Sequence, residues 1–574
     1  MNPSFLVRTL VIPALTALAL LAGIAPVSAQ GQGQDGQYRA FWVDTYNSRL
    51  NSSADITAIV DRARSAGVNA LFVQVRRRGD AWYLRGREPL PEGVAIDGGF
   101  DPLAEMLSQA HAAGIEVHAF VTVGAIWNMS TLPQQPDHVF NQHGFNAAGP
   151  LPAAANWLTR TRLPDGSQTS YGGYRFGTDF WLDFGHPDAA AYTVDLLVQL
   201  VKSYDLDGLH LDRLQYPELT EGGSASVGYN DVSLDRFRRH YARAADSDPS
   251  ADDAAWSDWR RAQVTGLLRR IYLSVLAMKP RLKVSAGVVA TGAAPTNEGG
   301  WAGTDAYART FQDWRSWMED GLLDVVVPLD FRAEHQASES DAFNGWVNWT
   351  RDHQYQRQAL IGLGSYLNSI EGTLRQIRTT MQPAANPIDG VVLYSMGAHN
   401  APVTRNPIAV PAGRDTPLRP FDDLSSGLRT GRTVSGQALE SGITFTSSNG
   451  AGGVFASSSL PALTWKNGTA RTGHVMGTVT NGDGRALDTA TVVLESEDGG
   501  TRYTTATDGG GFFGRVDLAP GTWRVSVMPS GDGRYASDCA LLITAGQVTS
   551  FNLDVNASRP GIASCQSSPA FNRR

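Results

Sequence analysis

The sequence predicts an α/β fold, a (β/α)8 TIM barrel followed by a small all-β, Ig-like sandwich. Three observations carry that expectation. Between residues 38 and 400 there are eight short, near-continuously apolar runs; most of the segments between them have helical spacing; and after Gly473 come short alternating runs with Gly/Asp turns. Apolar strands that alternate with helices read as a parallel sheet covered on both faces. Eight of them favour closure into a barrel over an open doubly wound sheet. At 574 residues the chain is also too long for one ordinary domain.

In chain order, residues 1–29 read as an export leader: Arg8 supplies the positive region, LVIPALTALALLAGI the apolar region, and Val27-Ser28-Ala29 a small-residue cleavage site. The apolar run is short for a membrane span and no cysteine sits at the cleavage site. The expectation is an exported protein, periplasmic or extracellular, with no transmembrane segment after leader cleavage. The barrel is expected over 38–400, with strands in YRAFWVDTY, NALFVQV, IEVHAFVTV, DGLHLDRL, LKVSAGVV, LDVVVPLDF, QALIGLGSY and GVVLYSMG. Helices are expected at Ala54–Ala66, Pro102–Ala113, Pro187–Tyr204, Trp256–Met278, Tyr307–Asp320, Ala342–Gln354 and Ser369–Met381, each with apolar residues at 3–4 spacing. After the eighth strand, AHNAPVTRNPIAVPAGRDTPLRP is Pro-rich, so the eighth helix is expected to be distorted or missing. Long insertions after the third and fourth strands belong at the C-terminal mouth, where barrels bind substrates. Residues 401–472 read as a linker or small β element, 473–556 as a sandwich of seven strands, and 557–574 as a tail.

The formal charge of −8 is mild, and no Lys/Arg stripe suits nucleic acid or an anionic membrane. The two cysteines, Cys539 and Cys565, are expected to form one disulfide in an oxidising compartment.

Strand residues alternate between the barrel interior and the helices. In GLHLDRL this sends Leu209 and Leu211 to the helices and His210 and Asp212 inward, Asp212 nearer the mouth. The same reading turns Asp330 inward in VVVPLDF with Val325, Val327 and Leu329 outward, pairs Trp42 with Asp44, and pairs Gln74 with Arg76. Each has a structural explanation: Asp44 capping a turn, Asp330 bound to Arg332 or Arg76, His210 a satisfied core histidine. Together they point to a site, because unpaired carboxylates inside a barrel are costly, and Arg76 would keep some of them ionised. No G-x-S-x-G elbow or H-E-x-x-H motif is present; GLGSY lacks the second glycine, and a metal site from His210, Asp212 and distant His118 or His186 lacks a ligand pattern. Carboxylates among the aromatics Trp42, Trp82, Tyr83, Trp127, Trp157, Tyr171, Tyr174, Trp181, Tyr216 and Trp301 fit carbohydrate chemistry, in which two carboxyls share acid and base or nucleophile roles.

RAFWVDTYNSRLNSS, VNALFVQVRRRGDAWY, GIEVHAFVTV, WLDFGHPDAAAY and above all DGLHLDRLQYP make residues 38–400 resemble the glycoside-hydrolase-family-10-like domain of bacterial envelope lipoproteins. The resemblance implies a TIM barrel and hydrolysis of peptidoglycan glycan strands. Asp207, His210, Asp212, Tyr216 and Pro217 match the family motif, whereas Arg213 stands where the family has a second aspartate, and the lipobox cysteine is absent. GHVMGTVTNGDGRALDTATVVLES and TTATDGGGFFGRVDLAPGTWRVSV make the C-terminal module similar to carboxypeptidase-regulatory-like sandwiches. The expected catalytic carboxylate is Asp212, with Asp330, Asp44 and Glu298 competing for the second role. His210, Arg76 and Gln74 would orient the groups, and Tyr216, Trp42, Trp82, Trp127 and Trp301 would contact a polysaccharide. No cofactor and no metal are implied. The replacement by Arg213 motivates an alternative, a glycan-binding envelope-adhesion protein on a glycosidase-like barrel; metal-dependent deacetylation through His210 and Asp212 is a third reading.

Overall fold

A computed structural model describes residues 36–96, 98–162, 170–219, 226–401, 419–432, 454–455, 459–466, 470–529, 533–556 and 558–566. The expected leader and much of 401–472 lie outside them. Eight parallel strands close a barrel: β1 Tyr38–Val43, β2 Ala70–Arg76, β3 Glu116–Thr122, β4 Gly208–Asp212, β5 Lys283–Val289, β6 Val325–Leu329, β7 Gln358–Gly364 and β8 Gly390–Tyr394. They pair in sequence order, with β1 meeting β8 at Tyr38↔Gly390.

Helices cover the barrel: α1 Ser53–Ser65, α2 Pro102–Ala112, α3 Pro187–Ser203, α4 Ala254–Met278, α5 Trp314–Glu319, α6 Ala337–Asp352, α7 Ile370–Thr380 and α8 Phe421–Thr430. Their starts are written locally. Ser52, Asp101, Asp253 and Ser369 accept hydrogen bonds from the free N–H groups of the first turn, and Pro102 and Pro187 occupy first-turn positions that need no donor. α8 corrects the sequence expectation of a distorted or missing eighth helix, and it stands within 401–472, where a linker or small β element was expected. It buries Phe421, Leu424 and Leu428 against α1 and α7 and stops at Gly431 in the left-handed region, φ 71°. No helix among the described residues is long and apolar enough to cross a membrane.

Two cores follow from the alternation. Outward residues such as Leu71, Val73, Leu209 and Leu211 pack under the helices. Inside lie Tyr38, Ala40, Trp42, Phe72, Phe120, Val325, Val327, Leu360 and Val392, with Leu329 and Phe331 against them. This reverses the expected facing of β6: both of its faces are apolar, so alternation alone could not tell them apart, and Asp330 lies on the side away from the interior core.

The insertion after β3 folds as small antiparallel pairs, including Ala125–Trp127 with Asp179–Trp181, over its own core of Ile126, Phe140, Leu158, Phe180 and Leu182. At the opposite end of the barrel, residues 459–466 form a strap. Ser459 accepts from Gln37 N, Leu460 packs on the interior core, and Ala462 accepts from Gln358. Lys466 then ion-pairs with buried Asp324, which also accepts from Trp465 and from Tyr272.

The C-terminal region is all-β, and all seven expected strands are present. The last of them, TSFNLDV, is split into Val548–Ser550 and Asn552–Val555, and two more, Tyr535–Ser537 and Ile562–Gln566, complete a ten-stranded arrangement around a separate core that includes Val475, Val492, Trp523 and Leu553. Part of the expected tail is therefore a strand, held through the Cys539–Cys565 disulfide. The sandwich lies against α4, where Gly514 comes so close that an added Cβ would meet a Leu273 side-chain methyl at 2.2 Å and force it to move. Arg236 clamps Asp488 with two bonds of 2.7 Å, Arg357 pairs with Asp517, and Arg270 with Asp508.

Candidate active site

A cavity of about 220 Å³ opens at the C-terminal mouth. Its floor comes from inward strand positions: Trp42, Gln74, Phe120, Thr122, Asp212, Leu329 and Tyr394. Loops add Tyr46, Arg77, Arg78 and Phe331, Arg213 follows β4, and the insertion after β3 adds Ala125, Trp127, Asn128 and Asp179. Asp212 ends β4 at this floor. Burial raises its carboxyl above the ordinary aspartate range, against the opposing pull of the Arg213 charge and of hydrogen bonds from the Arg213 backbone and the Thr122 side chain.

His210 lies one layer below. Trp42 Nε1 can only donate, so His210 Nε2 accepts from it at 3.2 Å and Nδ1–H donates to Ser285 Oγ at 2.9 Å. Burial, with a smaller push from His118, drives the imidazole well below its usual range, so it is neutral. The ring packs on Phe72 and Phe120 and does not line the cavity. It is a satisfied core histidine that fixes the indole of Trp42.

Of the other sequence-derived candidates, Gln74, Trp42 and Trp127 meet Asp212 at the cavity, and Trp82 lines an adjoining one. The rest sit elsewhere. Asp44 caps a turn, its Oδ1 accepting from Tyr46 N, Asn47 N and Asn47 Nδ2. Asp330 accepts from Arg332 Nε at 3.0 Å, behind Leu329 and Phe331; burial holds its carboxyl well above the ordinary range. Glu298 is an exposed surface carboxylate tied to His353 and Arg315. Arg76 does not serve the aspartates: a register shift after Gln74 turns it to buried Glu88, with two bonds of 2.7 Å. Tyr216 is fully buried between Phe184 and Phe311, its hydroxyl donating to Asp183, and so cannot touch a sugar. Trp301 is buried in a cluster with Trp314 and Trp349.

The model of one family, glycosyl hydrolase-like 10, matches residues 37–377, which spans β1 to α7. The chain belongs to the glycosyl hydrolase-like 10 family. A second model, the carboxypeptidase regulatory-like domain, matches residues 474–556. The chain is similar to glycosyl hydrolase DigH of Escherichia coli (strain K12), 25% identical over 394 residues covering 64% of this chain and 80% of that one. It is also similar to glycosyl hydrolase YngK of Bacillus subtilis (strain 168), 24% identical over 426 residues covering 68% and 74%. Among solved structures, the PgaB (BpsB) glycoside hydrolase domain of Bordetella bronchiseptica matches at a TM-score of 0.44 and 14% identity, covering 62% of this chain and 93% of that one.

The carboxylate that sequence reading missed in this glycosyl hydrolase-like 10 chain is Asp179, which shares the cavity wall with Asp212. It stands in the insertion, where no strand alternation marks it. Arg213 reaches it: its backbone lies in the left-handed region, φ 52°, and its guanidinium bonds Asp179 at 2.6 Å and lies over Trp181. Arg213 thus stays in the site: its side chain pairs with Asp179, and its charge and backbone N–H act on Asp212.

Proposed function

We propose that the chain is an exported glycoside hydrolase that cleaves a cell-envelope polysaccharide, with peptidoglycan glycan strands the favoured substrate. One observation carries this reading: Asp212 and Asp179 share a cavity with Trp42, Tyr46, Trp127, Phe331 and Tyr394, whose flat rings suit sugar faces. Asp212, its carboxyl raised by burial, gives its proton to the glycosidic oxygen as the C–O bond breaks. The Asp179 carboxylate faces the positive charge that develops at the sugar and takes the proton of the attacking water. Membership of the family and the sequence resemblance support the substrate class, and the leader-like residues 1–29 support export.

The test is digestion of purified sacculi, read as soluble glycan fragments and new reducing ends. Asp212→Asn is expected to lower the rate by about 10²–10⁴-fold while the protein stays folded; unchanged cleavage overturns the assignment. The Arg213–Asp179 pair favours one other reading, a barrel that binds glycan without cutting it. Sacculi that pellet the wild-type protein yet release nothing support that alternative.

A further inference from the structure

Between α4 and the sandwich lies a cleft of about 500 Å³, which shares no lining residue with the cavity at Asp212 and has the volume of a small-molecule site. One stripe of α4 lines it: Arg261, Ala262, Thr265, Gly266 and Arg269, at the spacing of three and four that puts residues on one helix face. Phe184 and Pro187 from the barrel and Phe512 from the sandwich add apolar walls. The sandwich turn at Gly509 presses onto Pro187, where an added Cβ would lie 2.6 Å away. Gly266 stands in the middle of a 25-residue helix, a place where glycine is less stable than alanine. A Cβ there would meet nothing within 4 Å, so no neighbour demands the glycine, and the space it leaves belongs to the cleft.

Of the arginines and carboxylates that line the cleft, all but one are committed. Arg261 bonds Asp258 and the Tyr307 carbonyl, and Arg236 bonds Asp488. Asp508 accepts from Arg270, and Asp313 accepts from Trp301 Nε1 and Ser316 Oγ. Arg269 is the exception: among the described residues it has no hydrogen-bond or ion-pair partner. Burial pushes its guanidinium below the usual arginine range. The two charges that act on it, Asp320 and Arg515, pull in opposite directions and bond each other at 3.2 Å. A partly buried guanidinium without an acceptor is costly, and its N–H fork fits a carboxylate or a phosphate.

We propose that this cleft binds an amphiphilic anion: one carboxylate or phosphate, held by Arg269, on an apolar body that lies over Gly266 between the apolar walls. A small hydrated anion would leave those walls wet, and a neutral apolar molecule would leave the guanidinium unpaired. The cleft stands apart from the glycan cavity, so either site can exist without the other.

Binding is measured by calorimetry on the full chain with octanoate, octyl phosphate, 1-octanol, acetate and inorganic phosphate as probes. One of the two octyl anions is expected to bind at a single site at least about tenfold more tightly than 1-octanol and than its own head group alone, with a preference over the alcohol that shrinks as NaCl rises. The tighter of the two identifies the head as carboxylate or phosphate. Arg269→Gln is expected to bring the anion down to the affinity of the alcohol. Gly266→Leu fills the cleft at a position where leucine is the better helix former, and is expected to weaken the octyl anion at least about tenfold. Equal affinity for octyl anion and alcohol overturns the proposal, as do head groups that bind as tightly alone and a failure of both octyl anions to bind. A preference that Arg269→Gln leaves intact, or an affinity that Gly266→Leu leaves intact, overturns it as well. The comparison among probes needs no variant, so a substitution that fails to fold cannot decide the outcome.

Discussion

Asp212 and Arg213 are chain neighbours acting on the same proton: burial holds it on the carboxyl and the guanidinium opposes this. In Arg213→Ala the opposing charge is gone and the Asp212 carboxyl climbs further. If Asp212 donates the proton, the alkaline limb of the kcat/KM profile moves to higher pH, and a limb that stays or falls argues against that role. Stability obeys the same sign. The folded pKa lies above the unfolded value of about 3.9, so the folded state holds the proton between the two and stability declines as pH rises through that window. Asn cannot ionise. Urea midpoints should therefore show Asp212→Asn gaining on wild type as pH climbs from about 3 through the raised pKa, with the gain constant above it. Asp212 was legible because its strand alternates cleanly, with leucines on one face and His210 and Asp212 on the other. Asp179, Arg77 and Tyr46 were not, because Asp179 opens a strand of three residues, too short to show a period, and Arg77 and Tyr46 stand in loops whose facing follows from tertiary packing.

Element by element, the barrel was readable where apolar period and turn residues agreed, and all eight strands are found in their expected segments. Two failures have definite causes. β6 is apolar on both faces, so its parity carried no information. α8 is ten residues long and follows a Pro-rich stretch, although Pro420 before it, Phe421, Leu424 and Leu428 along it, and Gly431 after it were all in the sequence. That helix closes the ring between α7 and α1. Leu428→Ala, at a fully buried position, should cost about 2–5 kcal/mol in urea denaturation. A loss near zero would show that α8 packs more loosely than its burial implies.

For the molecule as a whole, the sandwich is not a tethered appendage. Arg236–Asp488, Arg357–Asp517 and the contact at Gly514 fix it to the barrel, and the strap that leads into it carries Lys466 to Asp324. Both members of that last pair are buried. Lys466→Ala leaves Asp324 uncompensated and should cost about 3–5 kcal/mol in the same assay; a wild-type midpoint would mean that Tyr272 and Trp465 alone satisfy the carboxylate. The strap also sets a timetable. It joins Gln37, at the start of β1, to residues beyond position 458, and β1 itself waits for β8 at residue 390. A chain emerging from its N-terminus must carry its first strand half-paired while some 350 further residues are made, and the floor beneath that strand arrives later still. The end of the barrel farthest from the chemistry is thus the last part of the barrel that synthesis can finish, with only the sandwich still to come.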